Sequence, residues 1–225
     1  PGVKKASYTD LGFAKVEGHR IQRQGFPEAI YCPGKTEAQI IRIFADLLKG
    51  PGPVIATRIE SDVARALLVQ YPKAVHYPEA RLVVAKPLQV TGRAGVGLTA
   101  GTADLPIAEE AAVTAEALGR RVTRVFDVGV AGVHRLLAHQ KILEKAAAVI
   151  VCAGMEGALA SVVGGLAGCP VIAVPTSVGY GAHFQGVAPL LSMLNSCAAN
   201  GGAAWDHSAM VKALEMMASH EIGSG

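Results

Sequence analysis

The sequence predicts an α/β fold, with a parallel, doubly covered sheet in the second half of the chain and a small α+β region ahead of it. Three observations predict it. From Ala94 onward, strand-length apolar runs alternate with helix-length segments, the rhythm of successive βα units. The strand candidates are continuously apolar, which marks strands buried on both faces. Glycine supplies 26 of the 225 residues, and the turns that follow the strand candidates are among the richest in it.

Each element follows in order. Residues 1–50 begin polar and then become helical. Lys35-Thr36-Glu37 lead into Ile40, Ile41, Phe44, Leu47 and Leu48, an apolar stripe at helical spacing. Gly50-Pro51-Gly52-Pro53 stops that helix. A strand over Val54–Thr57, a helix over Ser61–Gln70 and a strand over Arg81–Ala85 follow. Ser61 is the expected N-cap, with Asp62 suited to the positive helix end. Residues 1–91 thus form the first region and residues 92–225 the second. In the second, strand Gly95–Thr99 leads to helix 105–118 and strand Val122–Val128 to helix 133–146. Strand Ala148–Cys152 leads to helix 156–167, and strand Pro170–Val174 to helix 185–198. An amphipathic segment, Asp206–Ser219, reads as a terminal helix whose methionines serve packing. Ligands of such sheets bind beyond the carboxyl ends of the strands. That rule selects loops 100–104, 127–135, 153–157 and 175–186.

Composition narrows the function classes. Lys and Arg number 21 against 18 Asp and Glu, a net charge of +3, an excess that gives little support to nucleic-acid binding and leaves anionic small molecules open. Aromatic residues are 5%, too few for stacking platforms. No apolar run reaches the roughly 18 residues of a membrane span, and no secretory leader is expected. Cys32, Cys152, Cys169 and Cys197 form no CxxC pair, so no zinc knuckle is expected. Cys152 and Cys169 read as buried small apolar residues beside strands. A reducing cytoplasm is the default setting.

The loops carry the candidate chemistry. Gly34-Lys35-Thr36 lacks the first glycine of a P-loop, since position 29 is Ala29, and reads as a turn entering a helix. In Ala100-Gly101-Thr102-Ala103-Asp104, Gly101 permits close backbone approach and Thr102 offers a hydroxyl. The N–H groups of the following helix suit a phosphate. Asp104 can take a ribose hydroxyl or simply cap the helix. In Asp127-Val128-Gly129-Val130-Ala131-Gly132-Val133-His134-Arg135, Arg135 can grip a phosphate or carboxylate with two parallel hydrogen bonds. His134 can bind or move a proton, or be structural, and Asp127 can orient the loop. Glu156 is one carboxylate among apolar residues, where desolvation would raise its pKa towards neutrality; the alternative is a glutamate placed by the helix dipole. Cys197 sits at the edge of the stripe Val187, Leu190, Leu191, Leu194. It reads either as buried and inert or as a thiol activated by a cationic neighbour, which a pyridinium ring would itself supply. A sugar-phosphate loop paired with a late thiol suggests covalent work on a nucleotide.

Together these segments resemble the LarB family, which belongs with the PurE-type carboxylases. The matching residues are Arg23-Gln24-Gly25-Phe26-Pro27-Glu28, Gly34-Lys35-Thr36 and Thr99 to Glu110. Further matches are Asp127 to Arg135, Gly154-Met155-Glu156-Gly157, Val174 to Gly181 and Ser192 to Cys197. They cover about residues 14 to 200. Two positions depart from the pattern: Ala103, where a serine is common, and the segment from Ala199 to Asp206, where an apolar strand and an Asn-Ile-Asp-Asn-Gly-like stretch are usual.

The resemblance implies a PurE-like, Rossmann-like three-layer domain over 92–225 and a reaction. The family adds CO2 to the pyridinium ring of nicotinic acid adenine dinucleotide and hydrolyses the phosphoanhydride. The products are pyridinium-3,5-biscarboxylic acid mononucleotide and AMP, on the way to a nickel-pincer nucleotide. It implies Cys197 as nucleophile and Glu156 as the group for proton transfer. Gly101, Thr102, Asp104, Asp127, His134, Arg135, Gly154, Met155, Thr176 and Ser177 become the substrate-binding set. It implies no tightly bound cofactor, CO2 or bicarbonate as co-substrate, and a homo-oligomer, an octamer by analogy. Mg2+ is an admissible assistant to hydrolysis, although no carboxylate cluster marks a metal site. The competing readings are an aminoimidazole ribonucleotide carboxylase or mutase, which needs no cysteine, and a non-catalytic nucleotide-binding protein.

Overall fold

The computed structural model describes residues 8–18, 20–155 and 157–176. They fall into two compact units. The first holds the residues up to Thr91 together with Val113–Gly119; the second holds Gly92–Ala112 and the residues from Arg120 onward.

The first unit opens with a two-stranded antiparallel pair, β1 (Thr9–Asp10) and β2 (Lys15–Val16), and a short helix, α1 (Arg20–Gln24). Then come β3 (Ala29–Tyr31), α2 (Glu37–Leu47), β4 (Val54–Thr57), α3 (Ser61–Gln70), β5 (Val75–Tyr77) and β6 (Leu82–Ala85). The sheet order is β3-β4-β6-β5, with β3 and β4 parallel and the other pairs antiparallel. α2 starts where the sequence provides a reciprocal cap: the Thr36 hydroxyl accepts the Gln39 N–H, and the Gln39 side chain accepts the Thr36 N–H. It buries Ile40, Ile43, Phe44 and Leu47, so the stripe lies one position from the expected one at Ile41 and Leu48, which are half-buried. Both faces of the sheet are covered, and side-chain alternation separates them. Val54, Ala56, Val83 and Ala85 join the cluster around Phe44, whereas Ile55, Leu82 and Val84 join Ala80, Val113 and Ala117 on the other side.

The second unit is built on β7 (Thr91–Thr99), β8 (Arg120–Val125), β9 (Val149–Ala153) and β10 (Val171–Pro175), with α4 (Leu105–Ala117), α5 (Val133–Leu137), α6 (Gln140–Lys145) and α7 (Ala158–Leu166) between them. The last five residues of α4 are counted with the first unit. The four strands form the parallel sheet of a PurE-like domain, as expected. Their order is β10-β9-β7-β8, with β7 and β10 both in parallel register on β9. β7 is followed in the chain by β8 on one side, whereas β9 lies on the other. The strand order therefore reverses between β7 and β9, the kind of point beyond whose carboxyl ends ligands of open α/β sheets bind. Leu98, Val149, Val151 and Val163 are fully buried at the centre of the core.

Several expectations need correction. Ser61 is the first helical residue of α3, and Glu60 occupies the cap position without a side-chain cap. Arg81 precedes β6 because its φ of +51° is left-handed, incompatible with a strand. β8 ends at Val125, three residues early, because Asp127 also turns left-handed, at +57°. The helix expected over 133–146 is two short helices. The His139 N–H bonds the Leu136 carbonyl, and this tighter turn interrupts the ladder. α7 begins at Ala158 rather than 156, since Met155 and Gly157 both have positive φ. The helices expected over 185–198 and Asp206–Ser219 lie outside the described residues. No helix among the described residues is long and apolar enough to cross a membrane.

Candidate functional site

The loop after β7 is organised by Asp104. Residues Thr102–Asp104 make a single 3-10 turn that leads into α4. The Asp104 carboxylate is buried; one oxygen accepts the Gly101 N–H at 2.9 Å, and the other accepts the Thr176 hydroxyl. Thr176 follows β10, and its own N–H donates to the Ala153 carbonyl at the end of β9, 3.1 Å away. The Ala100 N–H in turn donates to the Cys152 carbonyl. The ends of β7, β9 and β10 are thus stitched across the reversal point. Both Asp104 oxygens serve the loop, and Thr102 is exposed beside them. The Gly101 N–H is engaged by Asp104.

The loop after β8 is anchored from β7. Thr99 is wholly buried; its hydroxyl accepts the Asp127 N–H at 2.9 Å, and its carbonyl accepts the Val128 N–H at 3.0 Å. The Asp127 carboxylate accepts from Nη1 of Arg135 at 2.7 Å. Gly129 lies so close to the Ala100 carbonyl that a Cβ there would be 2.7 Å from its oxygen. The ion pair is solvent-exposed, at 40% for Arg135 and 56% for Asp127. Pairs of that kind stabilise a fold by about 0–1 kcal/mol. Asp is among the few residues other than glycine that adopt the left-handed region readily. The pair holds the Arg135 guanidinium against the loop. His134 is exposed on α5, next to Val133, which is also exposed.

After β9, Gly154 is half-buried and Met155 is 62% exposed with a φ of +51°. An exposed, left-handed methionine at the reversal point is unusual for a side chain that ordinarily fills cores. Glu156, Ser177 and Cys197 lie outside the described residues. The other three cysteines are buried. Burial pushes Cys152 up to about 12, with Asp104 and Glu110 adding to the effect, and Cys32 up to about 11, partly offset by Lys35. Burial also raises Cys169. Cys152 and Cys169 are the buried apolar fillers that the sequence predicts. Among the described residues, no group of three His, Cys, Asp or Glu side chains could hold a metal ion.

This geometry accompanies clear likeness to known proteins. Residues 8–87 match the model of the LarB/PurE-like N-terminal domain, and residues 96–222 match that of AIR carboxylase. The chain belongs to the LarB family. A relative from Methanocaldococcus jannaschii, an uncharacterized protein, is 38% identical over 194 residues, 81% of this chain and 74% of its own. The AIR carboxylase-like family is one of carboxylases and mutases. Within the LarB chain the predicted set supplies two hydrogen-bonded groups, Gly101–Asp104–Thr176 and Asp127–Arg135, while Thr102 and His134 are exposed. Gly154 and Met155 stand beside the first, after β9. The residue that sequence reading missed is Thr99. Its signal is a polar residue closing the otherwise apolar run Val96-Gly97-Leu98.

Proposed function

We propose that this protein carboxylates the pyridinium ring of nicotinic acid adenine dinucleotide and hydrolyses the phosphoanhydride, giving pyridinium-3,5-biscarboxylic acid mononucleotide and AMP. The observation that carries this reading is the LarB-type N-terminal match directly ahead of the AIR carboxylase match in one chain. It accords with the ordered motifs from Arg23 to Cys197.

The chemistry requires a nucleophile, because an electron-poor pyridinium carbon does not attack CO2. In this reading the Cys197 thiolate adds to C4, which makes a dihydropyridine whose C5 is an enamine carbon. C5 forms its bond to CO2, a base takes the C5 proton, and loss of the thiolate restores the aromatic ring. Glu156 is the proposed base. Cys197 is the thiol that the LarB resemblance implies; burial raises the pKa values of Cys32, Cys152 and Cys169, which accords with that choice. Arg135 is the proposed clamp for a phosphate or carboxylate, with His134, Thr102, Met155, Gly154 and Ser177 around the substrate. Asp104 and Thr176 shape that loop. The reading carries CO2 or bicarbonate as co-substrate, no tightly bound cofactor, a homo-oligomer and a cytoplasmic setting.

The test is incubation of the pure protein with labelled bicarbonate and either the pyridinium dinucleotide or aminoimidazole ribonucleotide. The expected result is label in the pyridinium product, AMP release, and a mass adduct on Cys197. Cys197→Ser should lower the rate by at least about a thousandfold. Label in the imidazole nucleotide, undisturbed by Cys197→Ser, would overturn the proposal in favour of the purine carboxylase reading. Binding without label in either substrate would favour a non-catalytic protein.

A further inference from the structure

We infer that Thr99 is a positioning residue: through the backbone of Asp127 it sets the Arg135 guanidinium for an anionic group of the substrate. The inference rests on the reading of Arg135 as a substrate clamp given above. It is carried by a chain of contacts that runs from the core to the surface. Thr99 closes β7 with no exposed surface, and it holds the loop after β8 twice, by its hydroxyl to the Asp127 N–H and by its carbonyl to the Val128 N–H. A rigid strand end is the firmest support a site loop can have. The first hold engages the N–H of Asp127, whose φ of +57° is a left-handed turn that Asp tolerates better than most residues. From that backbone the carboxylate reaches Nη1 of Arg135 at 2.7 Å.

Two glycines complete the device. Gly129 lets the loop approach the Ala100 carbonyl, so the turn cannot slide away from β7. Gly132 lies under the other edge of the guanidinium; a Cβ there would be 2.8 Å from Nε and 3.2 Å from Nη2 of Arg135. With Nη1 engaged by Asp127, the Nε–Nη2 edge is left in the fork geometry that grips two oxygens of a phosphate or carboxylate. A long, exposed arginine would otherwise lose much rotamer freedom on binding. The hydroxyl of Thr99 removes part of that loss in advance.

Valine has nearly the shape of threonine and lacks the acceptor. Thr99→Val should raise KM for the dinucleotide about tenfold while kcat stays within about twofold. Thr99→Ser, which restores the hydroxyl, should bring KM back to within about twofold of the parent. Gly132→Ala, which crowds the guanidinium and leaves β7 intact, should raise KM in the same direction and covers the case in which Thr99→Val does not fold. Equal KM values for the valine, serine and parent proteins, or a loss of thermal stability with KM unmoved, would overturn the inference. If the parent protein carboxylates aminoimidazole ribonucleotide instead, the functional reading falls, and the same variants read on that substrate still decide the role of Thr99. If neither is turned over, equilibrium binding of the dinucleotide decides it: weakening in Thr99→Val with recovery in Thr99→Ser supports the inference, and equal binding overturns it.

Discussion

The two sheets solve the same local problem differently. Each contains parallel strands followed by a polar loop and a helix. In the first sheet the loop after β3 satisfies itself within four residues, by the reciprocal bonds between Thr36 and Gln39. In the second sheet the loops after β7 and β8 reach across strands: Asp104 is bonded to Thr176, 72 positions away, and Thr99 to Asp127, 28 positions away. A local cap stabilises one helix end. A cross-strand bond fixes the mutual positions of several loops, which is what a binding site needs.

The comparison can be broken or sharpened by three measurements. The largest effect concerns thiol reactivity. At pH 8 a thiol with a pKa of about 11 is ionised to about one part in a thousand, and one of about 12 to about one part in ten thousand. Cys32 and Cys152 should therefore resist iodoacetamide in the native protein, while Cys197 is labelled, as mass mapping would read out. Rapid labelling of Cys152 would refute the buried strand ends of the second sheet. Next comes Asp104→Ala. It leaves the Gly101 N–H and the Thr176 hydroxyl without their charged partner and should lower unfolding stability by about 3 kcal/mol, measured by urea denaturation. Smallest is Thr36→Ala, which removes a self-contained cap and should cost about 1 kcal/mol. If the two substitutions prove equal, the distinction between local and cross-strand loops has no energetic content.

The parts of the molecule legible in sequence are those with a local cause. The long helix α2 is announced by its stripe and its threonine, and β9 and β10 by unbroken apolar runs. β3 and β5 are three residues each, too short for any period to register, and they exist because neighbours pair with them. The break at His139 carries no glycine or proline to signal it. The same division runs through the site. Gly101 to Asp104 and Asp127 to Arg135 stand out as contiguous segments. The bonds Asp104–Thr176 and Thr99–Asp127 depend on which strands lie side by side, and no property of the separate segments encodes that order.

One packing detail bears on how the protein can be dissected. Ile55, Leu82 and Val84 are shielded by Val113 and Ala117, which are encoded after residue 91. A polypeptide ending at that point would carry its leading sheet with one greasy side bare, a ready seed for clumping. The leading family segment is therefore contiguous as a stretch of code yet incomplete as an object, and its missing cover arrives later in translation.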